Sequence, residues 1–181
     1  SACLVGSEMC IRDRYWTQRQ GGTENLKVIA ERHLTINNRV LEDQPFDLVI
    51  STHVCRGNYH STWAARGGYL PIAPLLFARE KVHTLYLEFD DERSGGFAPL
   101  RYVSPDKTVV LGLVTTKRPD LEDPERIRER IKEAAQYVPL SRLSLSPQCG
   151  FASTEIGNKL TEEDQWKKIA LVRDIAQTVW G

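Results

Sequence analysis

Apolar residues gather in four short runs: 47–52 (DLVIST), 82–89 (VHTLYLEF), 108–115 (TVVLGLVT) and 140–145 (LSRLSL). Runs of this length, rich in aliphatic and β-branched residues, predict strands buried by a covering layer. The segments around them follow a helical period instead. Residues 23–43 place Leu26, Ile29, Ala30, His33, Leu34 and Val40 near one helical face, with Thr23 as N-cap, and Gln44-Pro45 ends the pattern. Residues 70–81 predict a helix with Pro71 and Pro74 in its first turns and Leu75, Leu76 and Phe77 inward. Asp123-Pro124-Glu125 opens another helix, with Ile127, Ile131, Ala134, Ala135 and Val138 on one face and Pro139 as its stop. Thr161 and Asp164 have capping-box spacing and open a last helix to residue 179, with Trp166, Ile169, Ala170, Val172 and Ala176 as its expected core positions. Strand followed by helix, four times over, with strand ends near 53, 88, 115 and 146, predicts an α/β fold built on a parallel sheet or barrel.

Composition narrows the function classes. Lys plus Arg and Asp plus Glu both number 24, so no net field favours nucleic acid or an anionic membrane surface. No apolar run approaches the ~20 residues that span a bilayer. Four scattered cysteines make no disulfide framework for a chain of 181 residues, and a reduced, cytoplasmic setting is expected. Residues 1–14 show no clean period and no signal-peptide core. They read as a non-native peptide of the kind that translated sequencing-adapter DNA produces, or as a disordered terminus. Cys3 and Cys10 are set aside with them, and the functional domain is taken as 15–181.

Candidate chemistry sits at the strand ends. His53 and Cys55 are two apart, so in extended chain both point to one face, and Gly57-Asn58 then turns the chain away. Glu88 ends the second run and Cys149 follows the fourth. Alone, Glu88 reads as a carboxylate paired with arginine. Together the four make one nitrogen, two sulfur and one oxygen donor, a set that suits zinc. Ligands on separate strands, one of them a carboxylate, fit a catalytic site better than a structural knuckle. A carboxylate is the donor that an incoming thiol can replace, and a zinc-bound thiol stays deprotonated at neutral pH. His33 and His83 read as structural. His60 and Trp63, in the loop after Asn58, read as residues near the pocket.

Three motifs in order, His53-x-Cys55, Glu88 with Arg93-Ser94 just after it, and Ser146-Pro147-Gln148-Cys149-Gly150, resemble cobalamin-independent methionine synthase, in the second half of its catalytic C-terminal domain. The segments HVCRGNYHSTWAARGGY and SPQCGFAST are closer still to the short, single-domain branch of that family. The resemblance implies the C-terminal half of a (β/α)8 TIM barrel, about four βα units. It implies zinc held by His53, Cys55, Glu88 and Cys149, and homocysteine methylated to methionine by a donor such as 5-methyltetrahydrofolate. It places Arg93 and Ser94 at the substrate. In the family a histidine after the seventh strand is proposed to protonate the leaving folate; here Lys117 stands near that place, as a proton donor or as a structural or phosphate-facing group. The departure leaves the donor open among a folate, a corrinoid-bound methyl group and another methylated compound. A non-catalytic zinc-binding fragment is the competing reading.

Overall fold

The four apolar runs are strands in the computed structural model, which describes residues 2–4, 23–45 and 47–181. They are β2 (Ile50–Val54), β3 (Thr84–Glu88), β4 (Thr108–Val114) and β5 (Leu143–Pro147). A further strand, β1 (Ala2–Leu4), pairs with β2. It falls inside the segment from which no element was expected; the rest of residues 1–14, with Cys10, lies outside the described residues. The sheet is parallel and open, in the order β1-β2-β3-β4-β5.

Register decides which residues meet. His53 pairs with Tyr86, Tyr86 with Val110 and Val110 with Ser144, so these four share one face. Glu88, Gly112 and Ser146 continue that face toward the C-terminal ends. The other face carries Val54, Leu87, Leu111 and Leu145 in register. It is the apolar one: Leu85, Leu87, Phe89, Val109, Leu111 and Leu113 are all buried in one core.

Helices cover that apolar face. They are α1 (Thr23–Val40), α2 (Ala73–Arg79), α3 (Pro124–Ala134) and α4 (Glu162–Trp180). Ala30 and Leu34 of α1, Leu76 and Phe77 of α2, Ile127 and Ile131 of α3 and Ile175 of α4 are buried. Asp123 caps α3 by accepting from Glu125 N–H, and the Thr161–Asp164 capping box opens α4, both as the spacing predicts.

The alternation of strand and helix has one exception and two expected core positions need correction. The polar, glycine-bearing link from β3 to β4 carries two 3₁₀ turns, Glu92–Ser94 and Ala98–Tyr102, in place of an α-helix. Gly95, Gly96 and Pro99 punctuate that stretch too closely for a longer helix. Trp166 and Ile169 are exposed, not core, and so is Val40. Helix α4 is turned so that Lys168 and Ile175 face inward.

The cause of that turn is Lys168, whose side chain is fully buried. Its Nζ donates to Asp120 O at 2.6 Å and pairs with Glu122 Oε2 at 3.1 Å. Glu122 Oε1 in turn accepts from Thr115 N–H at 2.8 Å, so α4 braces the loop after β4. Lys168→Met keeps the length of the side chain but strands the carboxylate and the carbonyl. It is expected to lower folding stability by about 2 kcal/mol, less than for a fully buried pair because Glu122 keeps some contact with water. A shift in the denaturant midpoint at constant slope checks this.

Candidate metal centre

Three strand ends converge on one point. Cys55 lies just past β2, Glu88 ends β3 and Cys149 lies just past β5. Ligand atoms of His53, Cys55, Glu88 and Cys149 all lie within 4.8 Å of one another. The two sulfurs are 3.9 Å apart, and His53 Nε2 is 3.7 Å from Glu88 Oε1. The structure thus brings together all four residues singled out as zinc ligands. The shared face of His53 and Glu88, set by the β2–β3 register, makes that possible.

A second layer holds the ligands still. Glu88 is 1% exposed, and both carboxylate oxygens are hydrogen-bonded. Arg56 N–H donates to Oε2 at 2.8 Å, and Gln148 Nε2 donates to Oε1 at 2.7 Å. The Arg56 guanidinium is itself buried beside them. It donates to Gly67 O, Tyr69 Oη and the Glu88 carbonyl, and lies 3.7 Å from Glu88 Oε2. Tyr69 Oη also accepts from Glu88 N–H at 2.8 Å, which fixes the end of β3. Gln148 reaches Glu88 only because position 112 is glycine. A Cβ there would meet Gln148 Cα at 2.9 Å and Leu87 O at 3.0 Å.

The loops after the strands close around this centre. Arg93 donates to Asp90 and Asp91 and stacks 4.3 Å over the Trp63 ring. Arg93 Nη1 and Ser94 Oγ are buried and make no hydrogen bond. Lys117 is buried, with Nζ donating to Asn58 Oδ1 at 2.7 Å and Gly57 O at 3.2 Å. His60 lies with its Nδ1 3.3 Å from Gly157 O, in the loop contact between residues 60 and 157. His83 sits at the far end of β3, where Nδ1 accepts from Ile50 N–H, as a structural residue does.

Electrostatics follow from the crowding. Burial pushes the Glu88 carboxyl upward, against the hydrogen bonds from Gln148 and Arg56. Burial works to lower His53, but the sulfur of Cys149 and the Glu88 carboxylate outweigh it and the imidazole is raised. The hydrogen bond between the sulfurs draws Cys149 down and Cys55 up. Burial lowers the Lys117 ammonium, with Glu88 and Cys149 opposing it.

These residues fit zinc. His53 Nε2 is buried and makes no hydrogen bond; it faces the Glu88 carboxylate at 3.7 Å and the two sulfurs, the groups that would share a metal with it. Two thiols, an imidazole and a carboxylate converge, with the Arg56 guanidinium 3.7 Å from the carboxylate, and this donor set is the composition of a zinc site with one replaceable ligand.

Sequence reading missed Arg56 and Gln148. Each directly follows or precedes a ligand, Cys55 or Cys149, and that adjacency was the available signal. Comparison with known proteins agrees with the geometry. The sequence profile of the family described as "Cobalamin-independent synthase, Catalytic domain" matches residues 46–177. YxjG of Bacillus subtilis (strain 168) is 55% identical over 144 residues, 79% of this chain and 38% of that protein. YxjH of the same organism is 53% identical over 161 residues, 88% of this chain and 42% of that protein. The chain therefore spans about two fifths of the length of these relatives. A protein from Listeria monocytogenes, described as a candidate vitamin-B12 independent methionine synthase, superposes with a TM-score of 0.66 at 41% identity, over 84% of this chain and 41% of that one. A B12-independent methionine synthase from Shewanella sp. W3-18-1, solved with selenomethionine, has a TM-score of 0.71 at 14% identity, over 98% of this chain and 47% of that one, and shows the fold alone. Strand ends, donor set and relatives converge: the chain is part of the barrel of, and belongs to, the cobalamin-independent methionine synthase catalytic-domain family.

Proposed function

We propose that this chain carries the metal-binding half of a methyltransferase that moves a methyl group from a folate-type donor to the thiolate of homocysteine, giving methionine. The observation that carries the reading is the convergence of four donors from three strand ends, with His53 Nε2 buried and without a hydrogen bond. His53, Cys55, Glu88 and Cys149 would hold zinc. Bound there, zinc supplies the Lewis acidity that keeps a substrate thiol deprotonated at neutral pH.

The protein's own residues orient and shield. Arg56 N–H and Gln148 aim the Glu88 carboxylate and give it partners that do not depend on the metal. Such a carboxylate can give way to a thiol without being left bare in the interior. Arg93 Nη1 and Ser94 Oγ are donors without acceptors, suited to a substrate carboxylate, and Trp63 holds the guanidinium flat. Lys117, with its pKa lowered by burial, is the candidate donor of a proton to the leaving group of the methyl donor.

A second reading has its own support. The chain spans about two fifths of its relatives and presents an open sheet, so by itself it can bind zinc and turn nothing over. Methyl transfer is accordingly tested in a protein of the relatives' full length that contains this chain. That protein is expected to show homocysteine-dependent methyl transfer with zinc near one equivalent, and to lose activity with a strong chelator and regain it with zinc. Assays with methyltetrahydrofolate and with a methylcorrinoid identify the donor; activity with neither overturns the reading.

Two substitutions separate the roles. Cys149→Ser is expected to weaken zinc binding by at least a hundredfold, measured by chelator competition; unchanged affinity removes Cys149 from the ligand set. Gln148→Ala is expected to keep the zinc but lower kcat about tenfold, because Glu88 loses one of its two hydrogen bonds. Steady-state kinetics beside zinc content distinguishes this from simple metal loss.

A further inference from the structure

One side-chain amide joins the loops that carry the two sulfur ligands. Asn58 is almost wholly buried three residues beyond Cys55, and it uses its full hydrogen-bonding capacity. Its Oδ1 accepts from Lys117 Nζ at 2.7 Å and from Asn158 Nδ2 at 2.9 Å. Its Nδ2 donates to Gly150 O and to Ser153 Oγ, each at 2.6 Å. Gly150 is the neighbour of Cys149, and Ser153 Oγ lies 3.8 Å from the Cys149 sulfur.

Asn158 closes the arrangement. Its Nδ2 also donates to Thr116 O at 2.8 Å, and its Oδ1 accepts from Ser61 N–H at 2.9 Å. His60 and Ser61 there hold φ of 44° and 64°, a conformation that costs non-glycine residues about 1–3 kcal/mol and persists only where surroundings enforce it. The loops after β2, β4 and β5 are thus tied at one point, while Cys149 itself lies beyond the last strand on irregular chain. The last backbone bond to β4, Gln148 N–H to Val114 O at 2.7 Å, stops one residue short of it.

We propose that Asn58, with Asn158 behind it, is a positioning residue for Cys149, holding its loop so that the sulfur stands in reach of the metal before the metal arrives. The proposal rests on the zinc reading above for its use, but not for its geometry. It accounts for an amide at position 58: an acid there would set an oxygen in place of Nδ2 against the Gly150 carbonyl, and an aliphatic residue would take one partner from each of Lys117, Asn158, Gly150 and Ser153.

The test uses the full chain in two states. In the metal-free protein, the rate at which an alkylating reagent modifies Cys149 is followed by peptide mass spectrometry. In the loaded protein, cobalt(II) replaces zinc, and its near-ultraviolet thiolate-to-metal absorption counts bound sulfurs; capture by a chromophoric chelator gives the release rate. Asn58→Ala is expected to speed modification of Cys149 about tenfold, to release metal at least tenfold faster and to reduce the thiolate band toward that of Cys149→Ser. Asn158→Ala, which leaves the Gly150 and Ser153 contacts of Asn58 in place, is expected to give a smaller change of the same sign. Lys168→Met serves as a control for destabilisation at a site that touches none of the four ligands, with the band unchanged. Wild-type modification rate, release rate and band in Asn58→Ala overturn the proposal, as does an equal loss of the band in Lys168→Met. If the wild type takes up no cobalt but Asn58→Ala still frees Cys149, the zinc reading fails and the positioning role stands.

Discussion

A carboxylate withdrawn almost wholly from water sets the terms for this site. Glu88 cannot sit at the end of β3 unless each oxygen has a partner, because an uncompensated buried charge costs several kcal/mol. The backbone N–H of Arg56 and the amide of Gln148 answer that need from two directions. Each of those partners has its own requirement. Arg56 needs the Gly67 carbonyl and Tyr69, which pins the loop after β2. Gln148 needs the gap at Gly112 and the Thr116 hydroxyl, which pins the loops after β4 and β5. Satisfying one buried acid therefore organises three connections at once.

Much of this architecture was legible before any coordinates. Apolar runs marked the strands because one face of the sheet is covered throughout, and the i, i+2 pair His53–Cys55 marked a common face. Caps at Asp123 and Thr161 were legible because capping is local chemistry. The supporting residues were not. Arg56 finds its partners 11 to 32 residues away, and Asn58 finds some of its own 92 to 100 residues away. No local period encodes such pairings. Trp166 was misplaced for a related reason: a helical pattern shows that a face exists, but α4 turns a lysine with an acidic partner outside the helix, together with Ile175, inward and leaves Trp166 exposed.

The division of labour between the two faces of the sheet is also physical. The helix side carries the hydrophobic core and needs only shape and apolarity, so many sequences could fill it. The opposite side carries His53 and Glu88, which need specific partners, beside Tyr86, Val110 and Ser144. Stability and chemistry are thus separated by the thickness of one strand, and a substitution that harms one need not harm the other.

That separation makes the protein's ancestry unevenly forgiving of changes in length. Parallel neighbours share a face residue by residue, so adding or removing one position inside β2 or β3 would reverse the alternation beyond it. Glu88 would then point among Phe77 and Leu76 while His53 still faced the loops, and the donor set would vanish with every donor present. The same insertion between α3 and β5 would leave the alternation within each strand as it is. Heritable change in this chain is therefore expected to accumulate as length differences in its connections and as side-chain differences in its strands, a record that can be read from gap positions alone.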